Sequence, residues 1–73
     1  MKYYLVFVEY DVEPALIGPY DYPSERDEAA RSIRRTEGKE HGYYPLTVTG
    51  DARLEIGSYS GAFFEDVDEE NGL

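Results

Sequence analysis

Residues 2–13, KYYLVFVEYDVE, decide what kind of sheet this chain builds. From Tyr3 to Val8 every side chain is apolar or aromatic, on both faces of an extended backbone, as in a central strand covered on both sides. From Val8 the pattern becomes strict alternation: Val8, Tyr10 and Val12 continue one face, while Glu9, Asp11 and Glu13 take the other. Read as one strand, the stretch holds three carboxylates on a single face at intervals of about 6.8 Å. Such a row is either solvated, matched to a basic protein surface, or a ligand set for a hard cation. Side chains on a straight strand do not converge as cation ligands must, so no metal site is expected.

The next stretch, PALIGPYDYP (14–23), is dense in proline and tyrosine. Ala15–Ile17 is expected to return as a short second strand, after which Pro19 and Pro23 hold an extended path. Tyr20, Asp21 and Tyr22 then offer an interface of large contact area at low entropic cost, unless the rings fold over the sheet edge.

Residues 24–38, SERDEAARSIRRTEG, read as the one helix. Ser24 is the expected N-cap, acids fill the first turn, Arg31, Arg34 and Arg35 fill the last turns, and Gly38 terminates it. Asp27 and Arg31 are spaced as an i,i+4 ion pair. The apolar stripe of Ala29, Ala30 and Ile33 is narrow, enough to lie close on one sheet face and no more. The basic cluster sits at the end opposite to where helices bind anions, so the dipole accounts for it, with pairing to the acidic C-terminal stretch as an alternative.

After a loop holding the sole histidine, His41, residues 43–49 and 53–59 read as a hairpin. Paired residues share a face, and a three-residue loop, Gly50-Asp51-Ala52, sets Val48 against Leu54 and Leu46 against Ile56. Phe63 and Phe64 are expected to fold back onto a sheet face. Residues 65–73, EDVDEENGL, read as an acidic tail to a domain of residues 1–64. The expected fold is α+β: an antiparallel sheet of three or four strands with one helix packed on one face, in the order β-(β)-α-β-β.

At 73 residues without a cysteine, the chain must be held by packing alone, with a homodimer as one cover for the two-sided first strand. The net charge of −9 disfavours direct binding to nucleic acid or to an anionic membrane and favours basic protein surfaces. By segment, residues 1–23 carry −3, 24–41 carry 0, 42–64 carry −1 and 65–73 carry −5. The opening apolar run is too short for a signal peptide or a membrane span, so a cytoplasmic location is expected. No set of acid, base and nucleophile assembles around His41, and neither enzyme activity nor a cofactor is expected.

The pattern I-G-x-Y occurs twice, at Ile17–Tyr20 and Ile56–Tyr59. With LIGPY (16–20), SERDEAARSIRR (24–35) and LEIGSY (54–59), it resembles half of a sporulation-related repeat domain, a resemblance that implies glycan binding. The combination of GPY (18–20), the same helix and YSGAFF (59–64) also resembles a group of small bacterial and phage proteins. By class, small acidic chains without cysteine are similar to phage-encoded inhibitors of host defence, including anti-CRISPR proteins, which implies a role as a nucleic-acid mimic.

The function expected is therefore a binding module whose acids occupy a basic surface of a larger protein or nucleoprotein complex. Glu9, Asp11, Glu13, Glu65, Asp66, Asp68, Glu69 and Glu70 are the candidate contacts, with Tyr20, Asp21 and Tyr22 as the anchoring loop. A small-ligand or glycan site built from Tyr20, Tyr22, Tyr43 and Tyr59 is the alternative from another class. A structural domain with a merely solvated acidic face is the third reading.

Overall fold

The computed structural model describes residues 1–71, apart from the side chains of residues 70 and 71. Along the chain come β1 (Lys2–Val8), β2 (Ala15–Tyr20), α1 (Pro23–Glu37), β3 (Gly42–Val48) and β4 (Leu54–Ile56), then a 3-10 turn (Gly61–Phe64) that runs into α2 (Glu65–Asn71). The strands form one antiparallel sheet in the order β2-β1-β3-β4, and both helices lie on the same side of it. This is the expected α+β architecture with β1 inside the sheet.

The first strand is shorter than its alternation implies. Leu5 and Phe7 face the helices, at 0% and 7% exposure. Continuing the strand would carry Glu9, Asp11 and Glu13 along that same covered face, where unpaired carboxylates are costly. The chain turns instead: the Val12 N–H donates to the Tyr10 carbonyl at 2.5 Å, a three-residue turn. The acid row is therefore a loop, not a strand face.

The hairpin matches its parity argument, with Leu46 opposite Ile56 and Val48 opposite Leu54. Its three-residue loop places Ala52 at φ 64, and the Ala52 N–H donates to the Thr49 carbonyl at 3.0 Å. Strand β4 stops early for a local reason. The Pro45 carbonyl accepts from the Gly57 N–H at 2.9 Å, but proline has no N–H to complete the reciprocal bond, and the ladder ends at Ile56.

Helix α1 begins two residues earlier than it would with Ser24 as its cap. Tyr22 is the N-cap in extended geometry, and its N–H is taken by the Glu25 carboxylate at 3.2 Å. Pro23 occupies the first helical position, where its preset φ fits and its missing N–H is no loss. Gly38 ends the helix as expected, at φ 94 with its N–H on the Arg34 carbonyl. The expected Asp27–Arg31 pair does not form. Asp27 accepts instead from Arg26 Nε at 3.0 Å and from the Tyr59 hydroxyl at 2.8 Å. Arg31 donates to the Phe63 carbonyl.

Residues 65–71, expected as part of a polar tail, form α2 instead. Ala30 joins Leu5, Phe7, Tyr43 and Phe64 in the core, with Tyr59 and Phe63 packed against it, and α2, which carries the buried Val67, packs on α1 and the 3-10 turn. Phe64 meets Tyr43 and Tyr59 at ring distances of 5.6 and 5.3 Å, and Val67 is fully buried. Arg34 locks this layer from above: its guanidinium lies 4.2 Å from the Phe64 ring centre and forms a two-pronged bond to Asp68, each arm 2.7 Å long. The two phenylalanines thus thicken the helical side and leave the other sheet face bare. Residues 72 and 73 lie outside the described residues.

Candidate functional site

The bare face follows from strand parity. Tyr4, Val6 and Val8 of β1, Leu16 of β2, Tyr44, Leu46 and Val48 of β3, and Leu54 and Ile56 of β4 point away from the helices. No element of the described chain covers them: Leu16 is 59% exposed, and Leu54 and Ile56 are each 66% exposed. Lys2, at one margin, is the charged residue on this face.

Two rings flatten the surface. A Cβ at Gly18 would come within 3.0 Å of Tyr4 Cδ1, and one at Gly42 within 2.8 Å of Tyr44 Cε2. Each tyrosine therefore lies down over a glycine of its own or a neighbouring strand, and a larger residue there would push it up. Contiguous apolar surface of this sort is characteristic of interaction sites.

The ends of the sheet differ in charge. At one end Lys2 pairs with Asp21 at 3.2 Å and Arg53 with Asp51 at 3.7 Å, so the charges cancel. The Thr49 hydroxyl holds the Asp51 carboxyl below the usual carboxylate range. At the other end the β1–β2 and α1–β3 loops come together, because Val8 lies opposite Gly42 and Phe7 opposite Ala15. Those loops bring Glu9, Asp11, Glu13 and Glu40, with Lys39 as the one base between them. Where the acidic end meets the bare face, Val8, Glu9, Tyr10, Glu40, Gly42 and Tyr44 line a shallow cleft. Neither Glu9 nor Glu40 makes an ion pair or a side-chain hydrogen bond among the described residues.

The residues expected to form the site are distributed differently. Glu9, Asp11 and Glu13 share the acidic end, whereas Tyr20, Asp21 and Tyr22 lie at the opposite end of β2. Tyr20 is half-buried, Asp21 is held by Lys2, and exposed Tyr22 caps α1. Of the acids in α2, Asp68 is spent on Arg34, which holds its carboxyl below the ordinary range, chiefly through the hydrogen bond. Asp66 sits 4.0 Å from Arg31, while Glu65 and Glu69 are exposed. The Glu70 side chain lies outside the described residues.

The tyrosine-based glycan site loses two of its four rings to the core. Tyr43 is 5% exposed and donates to the Gly38 carbonyl at 2.7 Å, and Tyr59 is half-buried on Asp27. Burial raises the pKa of both hydroxyls above the usual tyrosine value. His41 stands edge-on to Phe7 at 5.5 Å with its Nδ1 buried and unpartnered, so it packs more than a loop residue would. Among the described residues no cluster of three or more His, Cys, Asp or Glu side chains is placed to hold a metal ion, and no helix is long and apolar enough to cross a membrane.

Tyr10, Tyr44, Glu40, Leu16, Leu54 and Ile56 were not legible as site residues. Their signal was present in part, since the hairpin parity already put Leu54 and Ile56 on one face. What parity alone leaves open is which face the helices take. Comparison with known proteins returned no matching family model, no similar curated protein and no similar solved structure.

Proposed function

We propose that this chain is a non-enzymatic binding module that docks on a basic surface of a larger protein or nucleoprotein complex, one that otherwise holds a nucleic-acid backbone. The observation that supports it most directly is the sorting of charge. Internal pairs engage Asp21, Asp27, Asp51, Asp66 and Asp68, and four of the remaining carboxylates, Glu9, Asp11, Glu13 and Glu40, gather at one end of the sheet. Lysine- and arginine-lined grooves that hold phosphates accept ordered carboxylates by the same electrostatics. On this reading the protein acts as an inhibitor in the cytoplasm, in the manner of phage proteins that cover the nucleic-acid groove of a host defence complex.

The test is affinity capture on the immobilised protein at about 50 and about 500 mM salt, where the screening length shrinks severalfold. Captured partner is then challenged with double-stranded DNA. The reading expects release by salt and displacement by DNA. Capture that is unchanged at high salt and indifferent to DNA would refute it.

A further inference from the structure

The basic-partner reading leaves open where on this chain the partner sits. We infer that the bare sheet face is the docking surface and that the partner offers an apolar ridge ending in a cationic side chain, which enters the cleft between Tyr10 and Tyr44. This inference rests on the reading above and deepens it. The face has the flatness and apolarity of an interface centre, whereas the opposite face of the sheet is covered by α1, with α2 packed beside it. The cleft at its acidic margin supplies what a guanidinium or ammonium group binds best: two unpaired carboxylates, Glu9 and Glu40, and two aromatic rings. No lysine or arginine lines it.

Charge argues against a second copy as the occupant. Strand and residue spacings give the bare face roughly 350 Å² of plane, less than the ~800 Å² that each partner of a standard interface contributes. The surrounding loops must therefore join any stable contact. Two copies packed face to face are related by an axis lying in the interface. Such an axis sets acidic end on acidic end, or acidic end against Lys2 and Arg53, which are already paired with Asp21 and Asp51. In the first case Lys39 is the single base that each copy sets against four carboxylates, Glu9, Asp11, Glu13 and Glu40; in the second those carboxylates meet bases already paired, and each chain carries −9. A partner with unpaired cations resolves this.

The test uses defined peptides titrated into the full chain and followed by amide chemical shifts. Acetyl-Leu-Leu-Arg-amide is expected to shift Val8–Tyr10, Glu40–Tyr44, Leu46 and Ile56 saturably, with the lysine analogue doing the same. Replacing arginine with uncharged citrulline, or both leucines with serine, should each weaken binding about tenfold or more. Glu9→Gln/Glu40→Gln should reproduce the citrulline loss, and Ile56→Ser the serine loss, with circular dichroism unchanged because these side chains are outside the core. Equal binding of all peptides, or shifts centred on α2, would overturn the docking surface. So would a dimer mass by sedimentation at about 0.5 mM that Ile56→Ser abolishes, since a second copy would then be the occupant. Peptides that fail while capture remains sensitive to salt and DNA would remove this surface and spare the basic-partner reading. Peptides that bind while capture ignores salt would do the reverse.

Discussion

The claim that α2 belongs to the cooperative fold is tested most sharply by Val67→Ala. Val67 is fully buried on a helix that packs against α1 and the 3-10 turn, although the segment around it is otherwise acidic. The substitution removes two methyl groups, worth about 0.8 kcal/mol each in lost transfer energy. The small cavity left beneath α1 adds to this, for a total of about 2 kcal/mol. In a domain of this size 1 kcal/mol moves the melting midpoint by about 4–8 °C, so a fall of roughly 8–16 °C is expected. Urea and thermal unfolding followed by far-ultraviolet circular dichroism would measure it, with an unchanged denaturant slope. Val12→Ala, at a position 60% exposed in the β1–β2 loop, is the matched control and should cost under about 0.5 kcal/mol. A midpoint shift at Val67 no larger than at Val12 would show that α2 frays on its own and that the domain ends at Phe64.

Three other substitutions probe separate features. Asp68→Asn should cost about 1–2 kcal/mol by leaving the Arg34 fork without its carboxylate. The Asp68 pKa is lowered in the folded state, so its contribution is present above the ordinary carboxylate value of about 4 and is lost as pH falls through the lower folded value. The stability gap between parent and variant should thus hold steady from about pH 5 to 8 and close at lower pH, as read by urea titrations. Ala52→Gly should stabilise the hairpin by about 0.5–1 kcal/mol, because φ 64 disfavours a Cβ, and a lower melting midpoint would contradict this. Gly18→Ala should destabilise by about 2 kcal/mol or more, since φ 134 is strained for alanine and its Cβ would meet the Tyr3 carbonyl oxygen at 3.0 Å. An unchanged midpoint there would mean that β2 shifts freely.

Much of this fold was readable because its rules are local. Alternation fixes which residues of a hairpin share a face, so the pairs Val48–Leu54 and Leu46–Ile56 followed from loop length alone. The span of α1 followed from its charges and Gly38, whereas its first residue was misplaced because a proline at the first helical position competes with a serine cap. The second helix escaped notice because one valine among acids carries no stripe of its own. Its spacing from Phe63 and Phe64 is helical, but two of its acids, Asp66 and Asp68, are met by Arg31 and Arg34 of another element, a relation local pattern does not show. The site was legible in its parts. The acids of the β1–β2 loop were visible, but their convergence with Glu40, and their separation from Tyr20 and Tyr22, depend on strand pairing across the whole sheet.

Pro45 has a consequence beyond the length of β4. A sheet that exposes an apolar face together with a long free edge is a template on which further chains can add strand by strand, growing fibrils. By ending the β3–β4 ladder at Ile56, the proline leaves the β4 edge only three residues long, Leu54–Ile56, with few open backbone groups on that side. The opposite edge, β2, is longer at six residues, but it carries Pro19 within it and follows Pro14, so it too lacks an unbroken row of backbone donors.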